Sequence, residues 1–120
     1  MSTDTASNAT SDARGYNTAD IHKILRASVE LAIAPGEEYR HAQLPTLHTN
    51  ITTYADKKLA QIRPANCKSI VTCTLVQNTG AGFHIANATH WDNALDSLTT
   101  YKHETDGLVA VVSAYMVRCQ

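Results

Sequence analysis

An excess of charge of either sign is missing from this chain of 120 residues, in which ten Lys and Arg face eleven Asp and Glu for a formal net charge of −1. Without a block of cations the chain lacks the field that draws a protein to nucleic acid or to an anionic membrane, and neither is expected as a partner. Long apolar runs are missing as well. No stretch approaches the roughly 20 residues of a membrane helix, and Met1–Asp12 is polar, so the chain is expected to be neither membrane-spanning nor secreted. Cysteine is scarce: Cys67, Cys73 and Cys119 are odd in number and have no CxxC spacing, which argues against a disulfide framework or a zinc ribbon. Aromatic residues make up 6%, yet hydrophobic residues reach 43%, enough for one small core and too little chain for two.

Motifs that carry chemistry are also missing. There is no GxxxxGK[ST] loop, HExxH helix or GxSxG elbow, and Gly80-Ala81-Gly82 lacks the third glycine and the acidic residue of a dinucleotide fingerprint. Six histidines invite a metal, but no two stand at the i, i+3 or i, i+4 spacing that presents a pair of ligands on a helix. His84 and His90 would lie about 20 Å apart along one strand. Asp92 and Asp96 are the acidic pair beside Trp91, and in a link between strands they are expected to be solvated turn carboxylates. No catalytic residue, metal site or cofactor is expected.

What is present is pattern. Met1 to Tyr16 is Ser, Thr, Asp, Ala and Asn without apolar periodicity, and is expected to be a disordered arm preceding a domain from Asn17 to Gln120. Asn17 or Thr18 can cap a helix whose Ile21, Ile24, Leu25, Val29, Ala32 and Ile33 recur at three- and four-residue spacing, stopped by Pro35-Gly36. A second helix buries Leu47, Ile51, Tyr54, Ala55, Leu59 and Ile62 and closes at Pro64. The period then changes. Cys67 to Gln77 is rich in β-branched residues, Asn78–Gly82 reads as a hairpin turn, and a second strand runs from Phe83 to Trp91. In that strand Phe83, Ile85, Asn87, Thr89 and Trp91 share one face, and His84, Ala86, Ala88 and His90 the other. A third strand is expected at Ser97–His103, a turn at Glu104–Gly107, and a fourth strand, apolar on both faces, from Leu108 to Val117. The fold expected is α+β: two N-terminal helices packed on one face of a four-stranded antiparallel sheet; either a partner chain covers the other face, or the doubly apolar last strand is simply the central one.

The stretch from Ser69 to His84, with Ile70-Val71-Thr72-Cys73, then Gln77, then Gly80-Ala81-Gly82-Phe83-His84, resembles the signature of the Tctex-type dynein light chains. The likeness continues at Trp91-Asp92 and resumes at Val112-Ser113-Ala114-Tyr115, so that it spans about Asn17 to Val117. It departs at Thr89-His90, where the best-known members have a Cys-aromatic pair, and through Asn93–Lys102. The resemblance implies a non-catalytic, dimeric subunit of a dynein motor, in which each chain completes its neighbour's sheet with an exchanged second strand. It further implies that a segment of the dynein intermediate chain, or of a cargo protein, adds to the sheet edge beside the dimer interface. On that basis Gly82, Phe83, His84, Ile85, Ala86, Asn87, Ala88, Thr89, His90 and Trp91 are the residues expected to serve the dimer and the partner peptide.

The expected partners are therefore an intermediate chain, cargo proteins, and a second Tctex-type chain, either identical or, as in an axonemal outer arm, a related subunit. The expected location is the cytoplasm and cytoskeleton, or the axoneme of a cilium. A rival of another class is a small α+β enzyme or ligand-binding domain using Cys73, His84 and Asp92.

Overall fold

The computed structural model describes residues 15–36, 38–80, 85–92 and 95–119. Helix α1 covers Thr18–Ala32 and is capped by Asn17, whose side-chain oxygen accepts the amide of Ala19 at 2.8 Å, with Asp20 in the first turn facing the positive helix end. Its buried stripe is Ile21, Leu25, Ser28 and Val29; the hydroxyl of Ser28 donates to the carbonyl of Leu25 at 2.6 Å, so a polar group enters the core with its bond made. A 3-10 turn at His41–Gln43 leads into helix α2, Leu44–Ile62, which takes Pro45 in its first turn, where the missing amide proton costs nothing. Leu47, Ile51, Ala55 and Leu59 are buried at four-residue intervals. Tyr54 and Ile62 flank that stripe and are half-buried.

Three strands follow: β1 (Cys67–Gln77), β2 (Ser97–Glu104) and β3 (Leu108–Arg118). Their order is β1-β3-β2, antiparallel throughout, with Cys73 and Tyr101 both opposite Val112. Strand β3 is therefore central, and its continuous burial from Leu108 to Ala114 has the reason expected for a central strand. The helices form one layer. Leu108, Ala110, Val112, Ala114 and Met116 of β3 meet Ile21, Leu25, Val29, Ile51 and Leu59 in a single core.

Two features within the chain differ from the expected pattern. The sheet has three strands among the described residues: the segment expected as a second strand carries no ladder pairing from Ile85 to His90. Asn78, moreover, does not turn the chain back beside β1. Its amide donates to Gly107 O at 3.1 Å and its side chain to Thr105 O at 2.7 Å, which extends the β1–β3 ladder by one step onto the tip of the β2–β3 hairpin. Gly80 then takes a positive φ of 80° and donates to Asn78 Oδ1 at 3.2 Å, a turn that glycine enters without steric cost. The hairpin that does form is the one expected at Glu104–Gly107, where Thr105 Oγ1 accepts the amides of Gly107 and Leu108.

Tyr16 closes the N-terminal end of the core. The polar composition around it hides this role: Tyr16 is only 4% exposed, and its hydroxyl lies 2.7 Å from Ser97 Oγ at the start of β2. Gly15 beside it has a φ of +83°, and a Cβ there would meet Pro64 Cγ at 3.0 Å. A Tyr16→Phe change should cost about 1 kcal/mol, the net value of one buried hydrogen bond, measurable as a lower urea midpoint with an unchanged slope.

Candidate strand-addition edge and groove

Directly opposed residues of an antiparallel pair alternate between those that exchange both hydrogen bonds and those whose amides point away from the partner. The parity of the β2–β3 pair is set at its turn, where Thr105 N donates to Leu108 O at 2.9 Å. Followed along the register, this makes Ser97, Thr99, Tyr101 and His103 the residues of β2 bonded to β3. Leu98, Thr100, Lys102 and Glu104 accordingly aim their N–H and C=O groups at the free edge. The β1–β3 pair runs in the complementary phase, fixed by Asn78 N to Gly107 O at one end and Cys119 N to Asn66 O at the other. No residue of β3 has to serve both neighbours, and among the described residues both outer edges present unpaired backbone.

The two edges differ in what lies beside them. Along β2 runs a groove of about 790 Å³, bounded by Thr18, Ala19 and His22 of α1 and by Ser97–Thr100, with Trp91 and Asp96 at one end. Along β1 lie two smaller hollows, one of about 290 Å³ between Val71 and Thr52, Thr53 and Asp56 of α2, and one of about 330 Å³ at the strand's end, bounded by Val76 and Gln77. The β2 side has room for an extended segment to lie against the edge with one of its faces under α1.

Asp96 holds the mouth of this groove, and here the sequence expectation is corrected. Asp92 is exposed, as a turn carboxylate should be, but Asp96 is only 8% exposed. Its Oδ1 accepts the amide of Arg118 at 2.7 Å and its Oδ2 the amide of Asp92 at 3.1 Å, while the amides of Leu95 and Asp96 both donate to Asp92 O. The carboxylate ties the turn before β2 to the far end of β3. Trp91, just upstream, is half-buried and packs edge-on against Tyr115, with ring centroids 6.3 Å apart, and the Tyr115 hydroxyl donates to Asn87 Oδ1 at 2.8 Å.

Of the residues expected to serve the dimer and the peptide, Gly82, Phe83 and His84 lie outside the described residues. Ile85, Ala86, Asn87, Ala88, Thr89 and His90 are exposed, Ile85 by 43%, a high value for a large aliphatic side chain. Among the described residues, Asn87 and Trp91 of this set make side-chain contacts, both with Tyr115. The wall and floor of the groove were not singled out from the sequence. In the sequence Thr18 reads as a candidate helix cap, Ala19 and His22 belong to no motif, and the edge groups of Leu98–Thr100 belong to the backbone, which no side-chain pattern announces.

The chemistry of the rival reading is not assembled. Cys73 sits midway along β1, facing the helices, while Asp92 lies beyond the opposite edge of the sheet, and His84 is outside the described residues. Among the described residues no three His, Cys, Asp or Glu side chains cluster closely enough to hold a metal ion, and no helix is long and apolar enough to cross a membrane. Burial pushes the Cys73 thiol up to about 11 from 9.0. The thiolate is the reactive form, so alkylation of native Cys73 at pH 7.5 should be slow and should accelerate about tenfold per pH unit up to about pH 10, which peptide mass spectrometry can follow.

Comparison with known proteins accords with this geometry. The family model described as Tctex-1 matches residues 15–117. The Dynein light chain Tctex-type of Dictyostelium discoideum is 31% identical over 96 residues, which covers 80% of this chain and 86% of that one. The human Dynein light chain Tctex-type 3 is 28% identical over 106 residues, covering 88% and 90%, and the Dynein light chain Tctex-type of Drosophila melanogaster is 26% identical over 96 residues, covering 80% and 85%. With a family match that begins beside the buried Tyr16 anchor and takes in nearly all of the central strand, the chain belongs to the Tctex-1 family.

Proposed function

We propose that the chain is a non-catalytic light chain of a dynein complex that dimerises by exchanging the segment Ile85–Trp91, and that the sheet so extended takes a strand of the intermediate chain or of a cargo protein. One observation carries this. The chain has an open strand edge beside a groove of about 790 Å³, and a segment whose exposed residues Ile85–His90 pair with no strand of their own sheet. An edge and an unpaired strand in the same small chain satisfy each other across a two-fold axis, each chain supplying the fourth strand of the other. A second copy and a related Tctex-type subunit would use the same edge. Two binding edges per dimer then hold two partner segments at high effective concentration, so modest single-site contacts suffice for stable attachment to a motor. This role places the protein on the cytoskeleton in the cytoplasm, or in an axoneme.

Sedimentation velocity of the purified chain, followed by titration with an intermediate-chain peptide, tests the proposal. A dimer that binds two peptides is expected. A monomer that binds none overturns it.

A further inference from the structure

Granted the strand exchange proposed above, on which this rests, we infer that Thr18, His22 and Thr99 select the incoming strand, which must turn a hydrogen-bonding side chain (a hydroxyl, carboxamide or imidazole) towards α1. The polar groups that line the groove beside β2 fall into two sets. Those of the first are already bonded within the chain. Asp96 accepts the amides of Asp92 and Arg118, the hydroxyl of Ser97 lies 2.7 Å from that of Tyr16, and Thr100 Oγ1 lies 3.0 Å from Ser113 Oγ on the helix-free face. The second set is Thr18 and His22 of α1 and Thr99 of β2. Among the described residues their side chains make no hydrogen bond, and His22 meets the ring of Tyr101 edge-on, with centroids 5.5 Å apart. Thr99 is opposite Ala114 of the core, so its side chain lies on the helix side of the sheet and shares the groove with the two α1 residues.

In the single chain Thr18 and His22 are exposed and Thr99 is half-buried, so solvent meets their polar atoms. A strand laid on the β2 edge beneath α1 takes that solvent away. Each polar group so enclosed weakens binding about tenfold unless the incoming chain replaces the lost bond. Thr99 is well placed to receive one. Its own amide and carbonyl serve β3, so an antiparallel occupant is held by Leu98 and Thr100 on either side, and the residue opposite Thr99 belongs to the closer kind of cross-strand pair, with Cα atoms about 4.5 Å apart. An apolar side chain there leaves the three groups stranded, whereas a hydroxyl, carboxamide or imidazole can both donate and accept. The segment Ile85–Trp91 meets this demand whichever way it faces, because alternation puts Asn87 and Thr89 on one of its sides and His90 on the other. The backbone ladder attaches any strand, and the polar set rejects those that are apolar on the α1 side.

The experiment compares dimer dissociation by sedimentation equilibrium for the full chain and four variants. Thr99→Val keeps the shape of the side chain and loses its hydroxyl, and should weaken the dimer about 30-fold, since a two-fold axis repeats the loss. His22→Phe keeps a ring against Tyr101 without the nitrogens and should weaken it about tenfold. Thr100→Val removes a hydroxyl already paired with Ser113 on the other face and should change dissociation by less than about threefold. Thr100→Pro, which blocks the edge itself, serves as the reference. If Thr100→Pro breaks the dimer while either Thr99→Val or His22→Phe leaves it as tight as the full chain or tighter, the polar selection is wrong and the exchange stands. If Thr100→Pro leaves the dimer intact, the exchange itself is wrong. His22 is exposed in the single chain, so its replacement leaves the fold intact, which circular dichroism verifies.

Discussion

Replacing Thr100 by proline should yield a folded monomer. Thr100 is one of the residues whose amide is directed away from β3, at the centre of the groove, so proline there removes a donor from the free edge and leaves the β2–β3 ladder whole. The residue before it, Thr99, already has the extended backbone that a following proline demands. In a two-fold dimer the lost bond counts twice, and at about 1.5 kcal/mol for each unsatisfied partner carbonyl the dimer is weakened by about 3 kcal/mol, or roughly 150-fold. The substitution also removes the contact between Thr100 Oγ1 and Ser113 Oγ at 3.0 Å. Thr100→Val separates the two effects: it loses that hydroxyl contact, keeps the amide, and should remain dimeric. Lys102→Pro has the same parity and only an exposed ion pair with Glu104 to lose, so it should reproduce the monomer in a second sequence context.

Asp96→Ala should be the most destabilising single change at the groove. The carboxylate is nearly buried and accepts two backbone amides, those of Asp92 and Arg118; alanine removes the acceptor both amides use and opens space beside them. At about 1–3 kcal/mol for each stranded group, the loss is about 3 kcal/mol, which in a domain of this size lowers Tm by roughly 10–20 °C. Asp96→Asn keeps one acceptor oxygen and turns an NH2 towards the other amide, so a loss of about half that size is expected. Calorimetry of the three proteins checks the order. Because the clip fixes the turn from which Ile85–Trp91 departs, Asp96→Ala should also weaken the dimer under conditions where the monomer is still folded.

Much of this architecture could be read from the chain. Periodicity placed Ile21, Leu25 and Val29 on one helix and Leu47, Ile51, Ala55 and Leu59 on the next, and β-branched runs placed β1 and β3, because burial of one face is a local pattern that sequence displays directly. The pattern of Leu108–Val112 marked the central strand, which is buried throughout that stretch. Pairing was harder to read. Asn78 and the glycines after it have hairpin composition, yet Asn78 is captured by Thr105 and Gly107, a contact 27 residues away in sequence that no local rule contains. Asp96 and Tyr16 were missed for the same reason, since their partners Arg118 and Ser97 come from distant parts of the chain. The segment Phe83–Trp91 has the alternation of a strand, and among its described residues no pairing within the chain; that contrast is intelligible if its partner strand belongs to another molecule.

Isotope-filtered NMR of a dimer reassembled from equal amounts of ¹³C,¹⁵N-labelled and unlabelled chains addresses the exchange itself. Contacts between the backbone of residues 85–90 and that of Leu98, Thr100 and Lys102 should appear in the filtered spectrum, which selects pairs of atoms on different molecules. If those contacts are found only within one chain, the strand is not exchanged and the open edge of β2 has another occupant.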